Sequence, residues 1–167
     1  MTFRTAVFLG PVAVTTEYWE EQQQDGTRET GCRVELRRTR QVRPPQPPPQ
    51  PRRDAVFWAI EDHLWRADLF TTVGSDRAYD AAHYHPTFTG LVPCEREFDP
   101  RIVADPYGWI AGRLRDIEGM LHEAGHADLA ADLDPIVVEG AMPAILANLR
   151  ATLDLRLLTS ATAAPIA

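Results

Sequence analysis

The chain has 167 residues, of which 44% are hydrophobic and 25% are charged, and its formal net charge at pH 7 is −7. This size and composition predict one globular domain with a hydrophobic core. They exclude an intrinsically disordered chain and a small scaffold that depends on disulfides. An acidic surface repels polyanions, so broad nucleic-acid binding is not expected.

Cysteine usage and the N-terminal residues indicate where the protein works. Cys32 and Cys94 lie far apart in the sequence, without the spacing of a zinc knuckle or a disulfide framework. We therefore predict a reducing, cytoplasmic environment. Residues 1–16 are apolar but interrupted by Thr and Pro, and they lack a secretory cleavage site. No apolar run approaches the length of a membrane span, so we expect no membrane partner.

Residues 1–43 are predicted to form a β-hairpin. β-branched and aromatic residues favour a strand over residues 3–20, with Pro11 at a bulge or an edge position. Asp25-Gly26 is a two-residue turn signal, and the returning strand is predicted to cover residues 27–43. A hairpin of this kind is too weak to stand alone, so we expect it to pack on the rest of the chain or in a homodimer.

The predicted turn also implies a pairing register. The expected cross-strand pairs are Trp19 with Cys32, Tyr18 with Arg33, Glu17 with Val34, Thr16 with Glu35 and Thr15 with Leu36. In this register one face of the hairpin is mostly apolar and the other is polar.

Arginines cluster on the returning strand, at Arg33, Arg37, Arg38, Arg40 and Arg43. Residues 1–53 hold nine arginines against six acidic residues, whereas residues 54–167 hold eight against eighteen. One interpretation is a contact with RNA or phosphate, which guanidinium groups suit. The other is a solvated strand face that pairs with nearby glutamates and blocks aggregation, and the acidic remainder of the chain favours it.

Proline separates the hairpin from the remaining sequence. Six of the eight residues 44–51 are proline, which predicts a polyproline II connector over residues 44–53. A partner with an aromatic groove could bind this connector. The α+β body is then expected over residues 54–160, followed by a frayed tail at residues 161–167.

The body begins with strand signals. Residues 55–63 fit either a short helix or the first half of a long strand. Alternating side chains over residues 64–73 predict a strand, which Gly74-Ser75-Asp76 ends, and residues 79–85 are predicted to return beside it.

Helix signals dominate the C-terminal part. Asp-Pro pairs at Asp99-Pro100, Asp105-Pro106 and Asp134-Pro135 predict helix starts with Asp as the N-cap. A single helix is expected from Pro106 to Gly125, with a stripe of Ile110, Leu114, Ile117 and Leu121. Pro143 is expected to open a last helix through Ile145, Leu149, Leu153 and Leu157. The fold class is therefore α+β, with an N-terminal β-hairpin and a small antiparallel sheet covered by two or three C-terminal helices.

His122-Glu123-Ala124-Gly125-His126 resembles the H-E-x-x-H signature of zinc peptidases. In that signature two histidines one helical turn apart bind zinc and the glutamate activates water. Here the histidines fall outside the apolar stripe, and Gly125 is a natural helix stop. We interpret the segment as a helix end, with a zinc peptidase as a weaker hypothesis.

His83-Tyr84-His85 is the more promising motif. In a strand the two histidines point to one face, about 6–7 Å apart, so that one zinc or iron ion could touch both. The pattern resembles the metal-binding strand of cupin barrels, although the Glu and Gly that follow there are absent. Asp68 on the preceding strand could orient a histidine or share the metal, and Cys94, Glu95 or His63 could complete the ligand set.

A site without metal is the alternative chemistry. One of the two histidines would act as a general base held by Asp68, while Tyr84 or Arg66 stabilised developing negative charge. Tyr84 would point to the opposite face of a regular strand. A purely structural interpretation has both histidines bonded to loop carbonyls, with Cys94 as a small hydrophobic residue.

We therefore hypothesise a small cytoplasmic enzyme with a histidine-centred site, metal-assisted or not, that performs acid–base or hydrolytic chemistry on a small molecule. The alternative is a non-catalytic interaction or assembly protein that docks through the hairpin and the proline-rich segment. A small RNA-acting protein is a further, weaker hypothesis.

Overall fold

A computed structural model describes residues 2–22, 24, 28–43, 56–72 and 82–162. It has the predicted α+β class, with a five-stranded antiparallel sheet in the order β1-β2-β3-β4-β5 followed by helices. The strands of this sheet are β1 Thr2–Phe8, β2 Val12–Gln22, β3 Arg28–Val42, β4 Phe57–Thr72 and β5 Ala82–His85. Two short strands, β6 Phe88–Thr89 and β7 Val92–Pro93, pair separately. The helices are α1 Pro100–Ala104, α2 Pro106–Arg115, α3 Ile117–Glu123, α4 Ala127–Ala131 and α5 Pro135–Thr162.

The N-terminal part contains a turn that is not predicted by its residues. We expected one strand with a bulge at Pro11, but β1 ends at Phe8 and β2 begins at Val12. The N–H of Leu9 donates to the carbonyl of Val12 at 2.8 Å. Gly10 has φ of 84°, a conformation that glycine adopts without a steric penalty. Residues 1–43 therefore contribute three strands to the sheet.

The predicted register between β2 and β3 is wrong by one residue. Tyr18, not Trp19, lies opposite Cys32. The last pair joins Gln22 to Arg28, so the connection is longer than the two-residue turn that we expected. Because side chains alternate between faces, this shift exchanges the two faces of β2 relative to β3. Tyr18 and Cys32 are both fully buried as a result.

Several predicted features lie outside the described residues. They are the Asp25-Gly26 turn, the proline-rich connector at residues 44–53, the turn at residues 74–76, residues 79–81 of the returning strand and the tail beyond Thr162.

β4 is one long strand, which decides between the two interpretations of residues 55–63. It pairs with β3 over its whole length, with register irregularities around Arg37. On its other side it pairs with β5, where His83 lies opposite Asp68 and His85 opposite Arg66. This short pairing brings the predicted histidines beside the predicted aspartate.

The Asp-Pro helix starts are confirmed. The carboxylates of Asp99 and Asp105 accept hydrogen bonds from backbone N–H groups in the first turns of α1 and α2. Asp134 accepts one in the same way at the start of α5. Each helix begins at the proline, whose missing N–H is not needed in the first turn.

Two helix predictions are wrong. The helix expected from Pro106 to Gly125 is divided at Asp116, whose side chain accepts the N–H of Gly119 and caps α3. The predicted apolar stripe is nevertheless buried, at Ile110, Leu114, Ile117 and Leu121. Pro143 does not open the last helix, because α5 begins at Pro135 and contains Pro143 in its interior.

The helices cover one face of the sheet. α5 packs across β1, β2 and β3, and the hydroxyl of Thr152 lies 3.0 Å from that of Thr16. By length and composition alone, Pro135–Leu155 of α5 would be able to cross a membrane. Ile145 and Leu149 of this helix are fully buried in the protein core, but only 22% of its apolar 18-residue window is buried.

Candidate functional site

Strand alternation places a polar face opposite the helices. On β3 the buried apolar residues alternate with Arg33, Glu35 and Arg37, which therefore lie on the other face of the sheet. Arg33 is directly opposite Asp68 on β4, and Asp68 is directly opposite His83 on β5. Three neighbouring strands thus bring these side chains together.

Asp68, His83 and His85 form a buried cluster. Their exposed fractions are 0%, 1% and 4%, and their ligand-type atoms all lie within 4.8 Å of one another. Oδ2 of Asp68 is 3.7 Å from Nε2 of His83 and 3.8 Å from Nε2 of His85. These separations exceed the hydrogen-bond range, which ends at about 3.2 Å. They are closer to the roughly 3.4 Å between neighbouring ligands of a tetrahedral zinc ion.

The Asp68 carboxylate lies between two guanidinium groups. Nε of Arg33 donates a hydrogen bond of 2.7 Å to Oδ1. Nε of Arg66 lies 2.6 Å from Oδ2, but the N–H is not directed at that oxygen. Neither atom of this second contact has a hydrogen-bond partner in the described part of the chain. Oδ2 therefore has the positive charge of Arg66 beside it but accepts no hydrogen bond in the described part of the chain.

His85 presents a lone pair to this oxygen. Its Nδ1 lies 2.8 Å from the carbonyl oxygen of Cys94, and since a carbonyl only accepts, we assign the ring proton to Nδ1. Burial lowers the pKa of His85 below its ordinary value of 6.5, although the Cys94 carbonyl opposes this. The ring is therefore neutral at pH 7, and its unprotonated Nε2 faces the anionic Oδ2 of Asp68.

Two aromatic side chains lie against the histidines of the cluster. Phe88 of β6 lies against the ring of His85, with ring centroids 6.2 Å apart. The guanidinium carbon of Arg66 lies 5.5 Å from the centroid of the Phe88 ring. Phe98 lies 6.0 Å from His83. Because the three cluster residues are almost completely buried, the electrostatic interactions between them are stronger than they would be in water.

A second histidine site lies beside the cluster on the same face. Nδ1 of His63 is 2.8 Å from Glu35, which also accepts a hydrogen bond of 3.0 Å from Arg37. The His63 ring stacks on Phe88 at 5.1 Å, and burial lowers its pKa. His63 was a predicted metal ligand, but it belongs to this carboxylate pair and not to the three-residue cluster.

Tyr84 lies apart from the cluster, on the face that packs against the helices. Its hydroxyl donates to Glu97 at 2.6 Å, and its ring contacts Trp109 at 5.0 Å. Burial, reinforced by Glu97, raises the pKa of Tyr84 to about 12. Of the predicted catalytic residues, the structure brings Arg66 to Asp68 and the two histidines and places Tyr84 elsewhere.

Cys94 and Glu95 also have other roles. The backbone carbonyl of Cys94, not its thiol, contacts His85, while the thiol donates to the carbonyl of Glu95. The Glu95 side chain is exposed. The ligand-type atoms of these two residues are therefore not part of the cluster.

The H-E-x-x-H segment does not form one helix. α3 ends at Glu123, Gly125 has φ of 82°, and His126 is the N-cap of α4. Glu123 forms an ion pair with Arg113, and the side chain of His122 is 55% exposed. The segment is a helix end, and its histidines do not have the one-turn spacing that the peptidase signature requires.

The arginines of β3 form ion pairs within the protein. Arg33 contacts Asp68, Arg37 contacts Glu35, and Arg40 lies 2.7 Å from Glu61. These ion pairs neutralise much of the positive charge that binding to a nucleic acid would require. They favour the structural interpretation of the arginine cluster, although the partners are mainly on β4 and not on β2.

Comparisons of the chain with known protein families, curated proteins and solved structures find no match. Two described clefts lie on the helical side, one around Ile117 and Met142 and one around Trp109. Neither is lined by a residue of the cluster. The chemistry of Asp68, His83 and His85 is therefore the basis for proposing a function.

Proposed function

We propose that this protein is a cytoplasmic enzyme that binds zinc or iron through Asp68, His83 and His85 and performs hydrolytic or acid–base chemistry on a small molecule. The observation that carries the proposal is the buried contact between Nε2 of His85 and Oδ2 of Asp68, in which two electron-pair donors face each other. A divalent cation between them would turn this repulsion into attraction.

The ligand set suits a catalytic metal. Two histidines and one carboxylate leave open coordination positions, as in catalytic zinc sites and in the facial triad of non-haem iron enzymes. The hydrogen bond from Nδ1 of His85 to a backbone carbonyl is the usual way in which proteins orient a metal-binding histidine. A zinc ion with an open position lowers the pKa of bound water to about 7, which supplies hydroxide at neutral pH.

The metal-free alternative has weaker support. A histidine held by Asp68 as a general base would donate an N–H to the carboxylate, and without substrate this hydrogen bond is often longer than about 3.2 Å. The two histidine nitrogens lie 3.7 and 3.8 Å from Oδ2. His85 also donates its proton to Cys94, so it has none to share with Asp68 while it is neutral.

Metal analysis of protein purified without a histidine tag tests the proposal. We expect stoichiometric zinc or iron in the wild type and in His122→Ala/His126→Ala, and loss of the metal in His83→Ala/His85→Ala. Retention in the cluster variant with loss in the other would support the zinc peptidase. Protein that neither contains metal as purified nor binds added zinc or iron would overturn the proposal.

An isosteric variant separates loss of metal from loss of fold. Asp68→Asn keeps the shape of the side chain and an oxygen acceptor for Arg33 but removes the anionic ligand. We expect this variant to retain its circular dichroism spectrum and to lose at least about tenfold in metal affinity. Unchanged affinity would show that Asp68 is not a ligand.

A cytoplasmic location is consistent with the absence of a disulfide between the two cysteines that the structure describes. Cys32 is buried, and Cys94 is partly buried. Neither residue has the setting of a structural crosslink in an oxidising compartment.

The second candidate is an assembly protein that pairs through β1. This strand forms one edge of the sheet, and its residues Phe3 and Phe8 are 38% and 40% exposed. An exposed edge strand can pair with another chain, which would also produce the homodimer expected from the sequence. Light scattering after size exclusion tests this, since a monomer at all accessible concentrations would count against it.

A further inference from the structure

We infer that the substrate of this site carries a carboxylate or phosphate group, which the guanidinium groups of Arg33 and Arg66 bind. The inference rests on the proposed function, because it specifies the substrate class of the same site. Three observations support it. The arginines contact Asp68 through Nε, aromatic rings restrict the rotation of their guanidinium groups, and together they carry more positive charge than Asp68 neutralises.

Each arginine uses only one edge of its guanidinium group for Asp68. Both contacts go through Nε, to Oδ1 from Arg33 and to Oδ2 from Arg66. Among the described residues, no carboxylate accepts a hydrogen bond from the Nη groups of either arginine, and the hydrogen bond from Arg33 to Asp68 goes through Nε. Their side chains are 27% and 17% exposed, so a small molecule can reach them. Paired Nη donors match the two oxygens of a carboxylate or phosphate.

Aromatic rings hold both guanidinium planes. The guanidinium carbon of Arg33 lies 5.1 Å from the ring centroid of Trp19, and that of Arg66 lies 5.5 Å from the centroid of Phe88. Such contacts restrict the rotation of the side chain. A ligand therefore meets donors that are already oriented, which lowers the entropic cost of binding.

The charge balance of the site also favours an anion. Asp68 has one negative charge, whereas the two guanidinium groups in contact with it, those of Arg33 and Arg66, bring two positive charges. One arginine would suffice to neutralise the carboxylate. The second leaves these three side chains with one excess positive charge, while the negative charges of Glu35 and Glu17 also act on Arg33. Because uncompensated charge is costly in a buried site, an anionic ligand completes it.

Titration calorimetry with inorganic phosphate and with acetate tests the inference. The proteins are the wild type, Arg33→Lys and Arg66→Lys, with Arg150→Lys as a control on α5. Lysine keeps the positive charge beside Asp68 but loses the paired donors. We expect at least one of the two anions to bind the wild type and the control equally, and to bind each cluster variant about tenfold more weakly, as expected for a lost charged hydrogen bond.

Metal content is measured in the same samples, so that the two proposals fail separately. Equal anion affinity in all four proteins, or binding of neither anion by the wild type, would overturn the inference and leave the metal proposal standing. Anion binding that depends on Arg33 and Arg66 in metal-free protein that also fails to take up added zinc or iron would support the inference and overturn the metal centre. Binding of phosphate alone would indicate a phosphorylated substrate, and binding of acetate alone a carboxylate substrate.

Discussion

Arg33 and Asp68 lie directly opposite each other on adjacent strands, and Nε of Arg33 donates a hydrogen bond of 2.7 Å to Oδ1 of Asp68. Burial opposes the charge on Arg33, but the carboxylate of Asp68, together with those of Glu35 and Glu17, outweighs this effect and the pKa of Arg33 is raised. The pair keeps the carboxylate in one orientation, with Oδ2 toward the two histidines. Arg33 is therefore a positioning residue for the cluster, and its Nη groups are candidate hydrogen-bond donors to an anionic ligand.

Replacing Arg66 with glutamine is expected to strengthen zinc binding. Nε of Arg66 lies 2.6 Å from Oδ2 of Asp68, where its positive charge repels a metal ion bound to the same oxygen. At the effective dielectric constant of about 20 that suits protein sites, a unit charge at this distance changes the free energy of zinc binding by several kcal/mol. A gain of about tenfold in zinc affinity is therefore a conservative expectation. Competition with a fluorescent zinc chelator measures it. Arg150→Gln is the control, and weaker binding in Arg66→Gln would instead assign Arg66 an orienting role.

The protein should lose stability in mild acid. Burial lowers the pKa of both His63 and His85 in the folded state below the ordinary value of 6.5. Above pH 6.5 both rings are neutral in the folded and the unfolded chain, so these two groups do not change the free energy of unfolding as the pH varies. Below pH 6.5 the unfolded chain takes up protons first, so the free energy of unfolding falls until the folded pKa values are reached.

Urea unfolding between pH 8 and pH 5, with chelator present, measures this loss. His63→Gln should reduce the slope of stability against pH, because it removes one of the two groups. His122→Gln is the control substitution, because that side chain is 55% exposed. An equal slope in His63→Gln and the wild type would contradict the assignment.

Gly31→Ala is expected to destabilise the protein by about 1–3 kcal/mol. A Cβ atom at this position would overlap the indole ring of Trp19 on the neighbouring strand, and Trp19 in turn supports Arg33. Gly112 in α2 is the matched control, because a Cβ there meets nothing within 4 Å. Alanine at Gly112 should stabilise the helix by about 0.5–1 kcal/mol. Thermal unfolding of both variants distinguishes the close contact from a general effect of alanine.

Pro143→Ala should stabilise α5. Pro143 lies in the helix interior, where it cannot donate a hydrogen bond to the carbonyl one turn earlier. Since proline is about 3 kcal/mol less favourable than alanine inside a helix, we expect a gain of about 1–3 kcal/mol in the free energy of unfolding. Chemical denaturation measures the gain. A loss would show that the proline ring makes packing contacts that alanine cannot replace.

Local signals predicted much of the fold correctly. The three Asp-Pro helix starts were predicted because capping depends on residues that are neighbours in sequence. The part of β4 over residues 64–72 followed from alternation alone, although the strand begins at Phe57. The register of β2 and β3 was wrong because it depends on the length of their connection, and the helix break at Asp116 was missed because capping inside an apolar stripe has a weak signal.

The sequence by itself determined that His83 and His85 share one face of a strand and that Asp68 lies on the strand before it, because side-chain alternation is a property of the local backbone. The tertiary structure decided which groups meet Asp68. Arg33 comes from a strand 35 residues earlier, and its contact depends on a pairing register that no local pattern encodes. The Cys94 carbonyl sets the proton position on His85, and this too depends on how a loop folds back over the sheet.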